Sequence, residues 1–243
     1  MAITLRRSLH LILISILNNF FYPEKEDTNP VAQRGPLHNV QTISMTRKKF
    51  QADLSIAGVV LAAGSSQRFE KGNKLLWHLH EEPIVAHATR TLVNSDIDTI
   101  VVVTGHDAAR VTTAVCDLPV SVAYNREHDA GQSTSVAAGI DAIPEDIDAV
   151  VFVLADMPFI DTETVDTLVQ FYRTKDVTAV AAGYGGQRGH PVLFDVNHFR
   201  RLASVEGDIG GRQVFEEAAH SIIVDVDDPG VIRDIDEMDD INR

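Results

Sequence analysis

The chain has 243 residues, 44% of them hydrophobic and 23% charged, enough for one ordinary α/β core with a short appendage. A single cysteine, Cys116, excludes an intrachain disulfide and a cysteine-based metal site, and it reads as a small apolar residue late in a helix. The net charge of −14, with 6 lysines against 15 arginines and 23 aspartates, repels nucleic acid, and no basic patch offsets it, so no DNA or RNA partner is expected. The same excess of aspartate over lysine is what halophilic cytosolic proteins show.

Residues 1–50 differ from the rest. Arg6 and Arg7 precede the apolar run Leu9–Leu17, the order of a signal peptide. That run falls short of the about 20 apolar residues a membrane span needs. No small-x-small cleavage site follows it, so a cytoplasmic location with no membrane partner is expected. Residues 23–55 are polar, with Pro23, Pro30 and Pro36, and read as a linker or disordered arm. A start at Met45 would instead make the first 44 residues a mistaken upstream extension. They carry 4 basic and 3 acidic side chains, leaving 17 and 32 in the remainder.

From 56 to 243 strand-like runs alternate with amphipathic stretches. Ile56–Leu61 is a buried-type strand that breaks into a Gly/Ser loop. Pro83 opens a helix to about Asn94. Strands follow at Thr99–Val103 and Val120–Ala123, with Asp107 capping the helix between them. Ser133–Ala142 reads as a helix and Ala149–Leu154 as the most buried strand. Asp161 caps a helix to about Arg173, and Val177–Ala182 is a strand. Gly183–Gly189 turns into Pro191–Phe194 as a hairpin. A helix around Arg212–Ala219 and strands at Ile222–Val226 and Val231–Asp234 complete the pattern. The alternation predicts a three-layer α/β/α architecture with a mostly parallel, Rossmann-like sheet, which binds ligands beyond the carboxyl ends of its strands.

At the first such end stand Leu61, Ala62, Ala63, Gly64, Ser65, Ser66, Gln67 and Arg68, with Lys74 six positions on. Small residues let backbone N–H groups approach phosphate oxygens, and the two cations can neutralise a polyphosphate. The loop is neither GxxxxGK[ST] nor GxGxxG, so a P-loop or dinucleotide-binding fold is not expected. Asp156 ends the most buried strand, where a carboxylate can hold Mg²⁺ against phosphate oxygens.

LAAGSSQRFEKGNKLL resembles the signature loop of nucleotidyltransferases that attach a nucleotide to molybdenum cofactor. In order along the chain, Val103–His106, Asn125 with Gly131-Gln132-Ser133-Thr134-Ser135 and Gly139, Leu154–Pro158, Arg188–Val192 and Gly207-Asp208-x-Gly-x-Arg212 resemble further motifs of that family. The set spans residues 56–243 and is similar to the MobA-like NTP transferases, nearest to the molybdenum cofactor cytidylyltransferases. The resemblance implies a sheet of the nucleotide-diphospho-sugar transferase type and transfer of CMP from CTP to the phosphate of molybdopterin, releasing pyrophosphate. It implies catalytic roles for Arg68, Lys74 and Asp156, with Mg²⁺ on Asp156 and on Asp236 or its rival Asp234. Leu61, Ala62, Ala63, Gly64, Ser66, Asn125, Gln132 and Ser135 would address the nucleotide; Ser135 could equally be only a helix N-cap. Arg188, His190, Pro191 and Asp208 would address the acceptor, and contact with a molybdenum hydroxylase or its chaperone would be transient. Two departures stand out: Phe69-Glu70 replaces the usual Met-Gly, and the acidic stretch 234–239 lacks the usual Thr-Pro. A guanylyltransferase, a sugar-phosphate nucleotidyltransferase and a non-catalytic cofactor-delivery module remain alternatives; Ala63, where guanylyl members tend to have Gly, favours cytidine.

Overall fold

Apolar runs too short for helices become the central strands, covered on both faces, while the edge strands Ser121–Tyr124 and Ser221–Asp225 stay largely exposed. In the computed structural model, which describes residues 54–66, 72–205, 207, 211–237 and 239–240, β1 (Ile56–Ala62) leads through a small antiparallel pair, β2 (His78–Leu79) and β3 (Glu82–Pro83), into α1 (Ile84–Val93). There follow β4 (Thr99–Thr104), α2 (Ala108–Ala114), β5 (Ser121–Tyr124), α3 (Gln132–Ala142), β6 (Ala149–Leu154), α4 (Thr162–Thr174), β7 (Ala179–Tyr184) and β8 (Gln187–Asp195). Two short helices, α5 (Phe199–Leu202) and α6 (Arg212–Glu217), precede β9 (Ser221–Asp225). All described residues belong to one compact unit, Arg47–Arg243. The readings made for residues 1–53 lie outside the described residues.

Seven strands form one sheet in the order β5-β4-β1-β6-β8-β7-β9. β4 and β6 flank β1 in parallel, β5 is parallel to β4 and β9 to β7. Only β8 runs against its neighbours, β6 and β7. The expected mostly parallel three-layer arrangement is what forms. Alternate residues of β1 feed two separate cores: Ile56, Val60 and Ala62 meet α1, α2 and α4, whereas Ala57 and Val59 meet α3, α5 and α6. Burial on both faces is why these strands read as continuous apolar runs.

Close approach of α3 places its first turn over the sheet. A Cβ at Gly139 would lie 2.6 Å from Val59 Cγ1, so only glycine lets the helix sit this low on β1. Because β1, β4, β5 and β6 are parallel, their carboxyl ends, and the segments that follow, converge at one edge with that turn.

Several local expectations need correction. Val231–Asp234 is not a strand: Pro229–Ile232 is a 3-10 turn, begun by Asp228, whose Oδ1 accepts from the Gly230 N–H at 2.8 Å. Neither Asp107 nor Asp161 caps its helix with its side chain. Asp107 sits in a left-handed conformation (φ 55°) and turns its carboxylate to Arg110. The start of α4 is served from afar, where Asp228 Oδ2 accepts from the Asp161 N–H at 2.9 Å and the Thr164 hydroxyl at 2.7 Å. Cys116 is exposed in the turn after α2, not inside a helix. β8 begins at Gln187, earlier than expected, after a two-residue turn in which Gly185 (φ 58°) and Gly186 (φ 81°) supply the positive φ such hairpins require.

Asp228 is buried and accepts three hydrogen bonds, so Asp228→Ala strands three donors at once. A loss of about 3 kcal/mol in urea unfolding is expected, with the slope unchanged. A loss below about 1 kcal/mol would show that water replaces the carboxylate.

Candidate active site

The cleft is built from a turn, two strand exits and a C-terminal segment. Asn73 caps the 3-10 turn Lys74–Leu76: its Oδ1 accepts from the Leu75 N–H at 3.0 Å and from the Ser66 hydroxyl at 3.3 Å. This ties the β1 exit loop to the turn that carries Lys74. Asp156 stands two residues beyond the end of β6, in the turn that follows it, and its backbone carbonyl accepts from the Ile235 N–H at 2.9 Å. Ile235 is fully buried, so that bond and the apolar anchor hold Asp236 next to Asp156.

Lys74 Nζ lies 2.7 Å from Asp156 Oδ2 and 2.9 Å from Asp236 Oδ1. Burial alone would depress the ammonium, but the charges and hydrogen bonds of the two aspartates outweigh it and raise Lys74 above its ordinary value. Asp234, the rival to Asp236, is exposed; desolvation, followed by the charges of Asp156 and Asp236, raises its carboxyl.

Lys74, Asp156 and Asp236 line a cleft of about 470 Å³ together with Leu61, Ala63, Gly64, Ser66, Gln132 and Ser135. The structure therefore brings together most of the residues expected to meet a nucleotide. Ala62 does not line the cleft: it sits in the core, its side chain on the opposite face of β1 from Leu61. Nor does Asn125, which holds the frame instead. Its Nδ2 donates to Thr134 Oγ1 (2.8 Å) and Ser135 Oγ (3.0 Å), and its Oδ1 accepts from the Glu127 N–H (2.9 Å). Ser135 is inside α3 and is no N-cap; Gly131 (φ 114°) holds that position. Arg68 and Asp208, with Phe69 and Glu70, lie outside the described residues.

His128 and Asp129 also line the cleft, although neither belongs to the motifs read from the sequence. The His128 ring packs edge-on against His106, and a Cβ at Gly105 would lie 2.5 Å from the His128 Cβ.

Beyond Leu61 and Gln132, which border both, lies a second cavity of about 220 Å³. Period-two alternation places Arg188, His190, Val192 and Phe194 of β8 on its wall, faced by Phe152, Val136 and Arg212. Pro191 is buried on the other face of β8 and does not line it. The Arg188 guanidinium lies over the Phe215 ring, 5.1 Å from its centroid. Burial and the nearby Arg212 charge push Arg188 below its ordinary value, with Glu216 opposing.

Burial, then the Arg188 charge, lower His190 to about 4, while Asp156 and the backbone of Phe152 oppose. Its folded value is below the unfolded 6.5, so the stability it contributes is complete above pH 6.5 and is lost as pH falls towards 4. At about 1.4 kcal/mol per pH unit, up to about 3 kcal/mol is involved. Urea unfolding between pH 4 and 7 should show this slope in the parent and a shallower one in His190→Gln. Equal slopes would refute the assignment.

The fold and cleft are of nucleotidyltransferase type. Residues 58–222 match the MobA-like NTP transferase domain, and the chain belongs to that family. It is 26% identical over 197 residues to nicotine blue oxidoreductase of Paenarthrobacter nicotinovorans, covering 77% of this chain and 95% of that protein. It is 35% identical over 131 residues to the bifunctional protein GlmU of Rhodococcus opacus, covering 51% of this chain but only 26% of GlmU. Among solved structures it resembles Rv0371c of Mycobacterium tuberculosis in complex with manganese, with TM-score 0.65 and 23% identity over 78% of this chain and 97% of that one.

Proposed function

We propose that residues 56–243 transfer CMP from CTP to the phosphate of molybdopterin or of its molybdenum-bearing form. The observation that carries this reading is the position of Lys74, shared by Asp156 and Asp236 in a cleft that abuts a smaller arginine-lined cavity. The larger cleft takes the nucleotide and the smaller one the acceptor. An acceptor phosphate oxygen attacks the α-phosphorus, the bond to the bridging oxygen breaks, and pyrophosphate leaves. Lys74, joined by Arg68, neutralises the charge that builds on the phosphates, and positioning does the rest. The acceptor is already an anion near neutral pH and needs no general base, so His190, neutral there, serves to position it.

Asp156 and Asp236 are the side chains that would hold Mg²⁺, because two converging carboxylates beside a phosphate site suit its preference for few protein ligands. When bound, Mg²⁺ supplies further charge neutralisation at the transferring phosphate. Manganese in the mycobacterial structure supports a divalent ion here. Ala63 favours CTP over GTP; among the described residues no helix is long and apolar enough to cross a membrane. Cytoplasmic residence and transient contact with a molybdenum hydroxylase or its chaperone belong to the same reading.

The test supplies α-labelled CTP, GTP, ATP or UTP separately, with Mg²⁺, high KCl and molybdenum cofactor, and follows label transfer. Label from CTP alone is expected. Label from GTP would keep the chemistry and overturn the base. Binding without pyrophosphate would point to a delivery module, and reduction of nicotine blue would align the chain with its relative's name instead.

A further inference from the structure

The sheet ends in two edge strands, β5 and β9, and they offer different surfaces. Two hydrogen bonds fix the phase of β9. The His220 carbonyl accepts from the Thr178 N–H at 2.9 Å, and the Val226 N–H donates to the Gly183 carbonyl at 2.8 Å. With Ala179 opposite Ser221 and Gly183 opposite Asp225, the even-numbered residues turn their N–H and C=O groups towards β7. Those of Ser221, Ile223 and Asp225 point outward, and among the described residues no strand lies beyond them. At the other edge the Asn125 N–H donates to the Thr104 carbonyl at 2.8 Å, so within β5 Val122 and Tyr124 alone point outward.

Edge strands are ordinarily guarded by lysine, proline or a bulge. β9 contains neither lysine nor proline and pairs with β7 in unbroken register. Ile222 and Ile223 are 37% and 48% exposed, one on each face of the sheet.

Self-complementarity names the occupant. A two-fold axis through Ile223, perpendicular to the sheet, lays a second β9 antiparallel to the first. It sets Ile223 opposite its counterpart and Ser221 opposite Asp225 of the partner subunit. All three outward residues then fall in hydrogen-bonded pairs, and no side chain changes face. Ile222 meets Val224 of the partner subunit on one face, and the two Ile223 side chains meet on the other. Charge selects the same arrangement. A parallel copy would set Asp225 beside its counterpart, whereas here the two carboxylates are about 14 Å apart, beyond the screening length at physiological salt.

We propose that β9 is the interface of a weak homodimer, in which two copies of this chain join edge to edge through Ile223 into one continuous sheet. Strands this short bury less than the about 1,200 Å² of a standard interface, so a Kd of about 10–100 µM is expected. Each chain carries a net charge of −14, and salt that screens it tightens the dimer. β9 runs parallel to β7 and, across antiparallel β8, to β6 and β1. The two-fold axis therefore points the carboxyl ends of the two copies in opposite directions, both clefts stay open, and turnover per chain is unchanged by pairing.

Sedimentation velocity of the full chain from about 5 to 500 µM should show a monomer–dimer transition that added KCl moves to lower concentration. Ile223→Lys sets two ammonium groups against each other at the axis and should weaken the dimer about 10-fold or more, with melting temperature and turnover close to the parent's. Should Ile223→Lys fail to fold, crosslinking decides, in a Cys116→Ser background because Cys116 is exposed. Ile223→Cys should give a disulfide dimer on mild oxidation, since facing residues lie about 5.5 Å apart at Cα; Ile222→Cys, about 8 Å from its counterpart, should not. A parent monomeric throughout, a dimer indifferent to Ile223→Lys, or crosslinking of Ile222→Cys in place of Ile223→Cys would overturn the proposal. Hydrogen exchange at Ser221, Ile223 and Asp225 distinguishes the occupants. Protection that rises with protein concentration supports a second copy; protection independent of concentration assigns the edge to another segment of the same chain and overturns it.

Discussion

Asp156→Asn is expected to lower turnover by about 10³-fold while the chain keeps a cooperative unfolding transition within a few degrees of the parent. The two effects separate because the residue does two jobs with different atoms. Its carbonyl oxygen anchors Ile235, and the substitution leaves that bond in place. Its carboxylate touches Lys74 at 2.7 Å, and there the substitution removes a charge that both orders the ammonium and would hold a cation. Lys74 is not abandoned in the folded state, because Asp236 remains 2.9 Å away. The structural loss should therefore be near 1 kcal/mol, below the about 3–5 kcal/mol of a pair left with one buried, uncompensated charge. The three side chains act as one unit, so Lys74→Gln combined with Asp156→Asn should cost little more than either alone. Steady-state pyrophosphate release and thermal melting measure both halves. Undiminished turnover in Asp156→Asn would remove it from the mechanism, and additive losses would dissolve the unit.

Much of the fold was legible because both faces of the central strands are covered. Ala149–Leu154 announces itself as a central strand from composition alone, and Ala63, Gly64 and Lys74 stand where the pattern of strand ends puts them. What escaped was whatever depends on residues far apart in the chain. Asp161 looks like a helix cap, yet the carboxylate that serves the start of α4 is Asp228, 67 residues on. Asn125 resembles a ligand residue and is spent on Thr134, Ser135 and Glu127. His128 carries no local signal, because it reaches the cleft only through packing on Gly105 and His106. Val231–Asp234 has the apolar, β-branched look of a strand, but the sheet edge is already taken by β9 and the segment crosses β8 instead. Period two along β8 was the signal that Arg188 and His190 share a wall, and it became readable once the strand was extended back to Gln187.

That crossing carries the other large effect. A Cβ at Gly189 would lie 1.9 Å from the Val231 carbonyl oxygen and 2.6 Å from its carbon, backbone atoms that no rotamer change can move. Gly189→Ala should cost about 3 kcal/mol or more, since the segment after Asp228 must lift off β8. The same segment delivers Asp236 to Lys74, with Gly230 pressed equally close to the Phe159 carbonyl on its other side. A displacement of about 1 Å at Asp236 should reduce turnover by about 10²-fold even at temperatures where the variant stays folded. Gly185→Ala is the contrasting case. It also sits in β7–β8, but its Cβ would meet nothing within 4 Å, and its only penalty is the left-handed φ of 58°. About 1 kcal/mol of stability and no change in turnover are expected there. Urea unfolding together with label transfer at 10 °C separates the two glycines. Equal turnover in both variants would mean that the C-terminal segment does not place a residue the reaction needs.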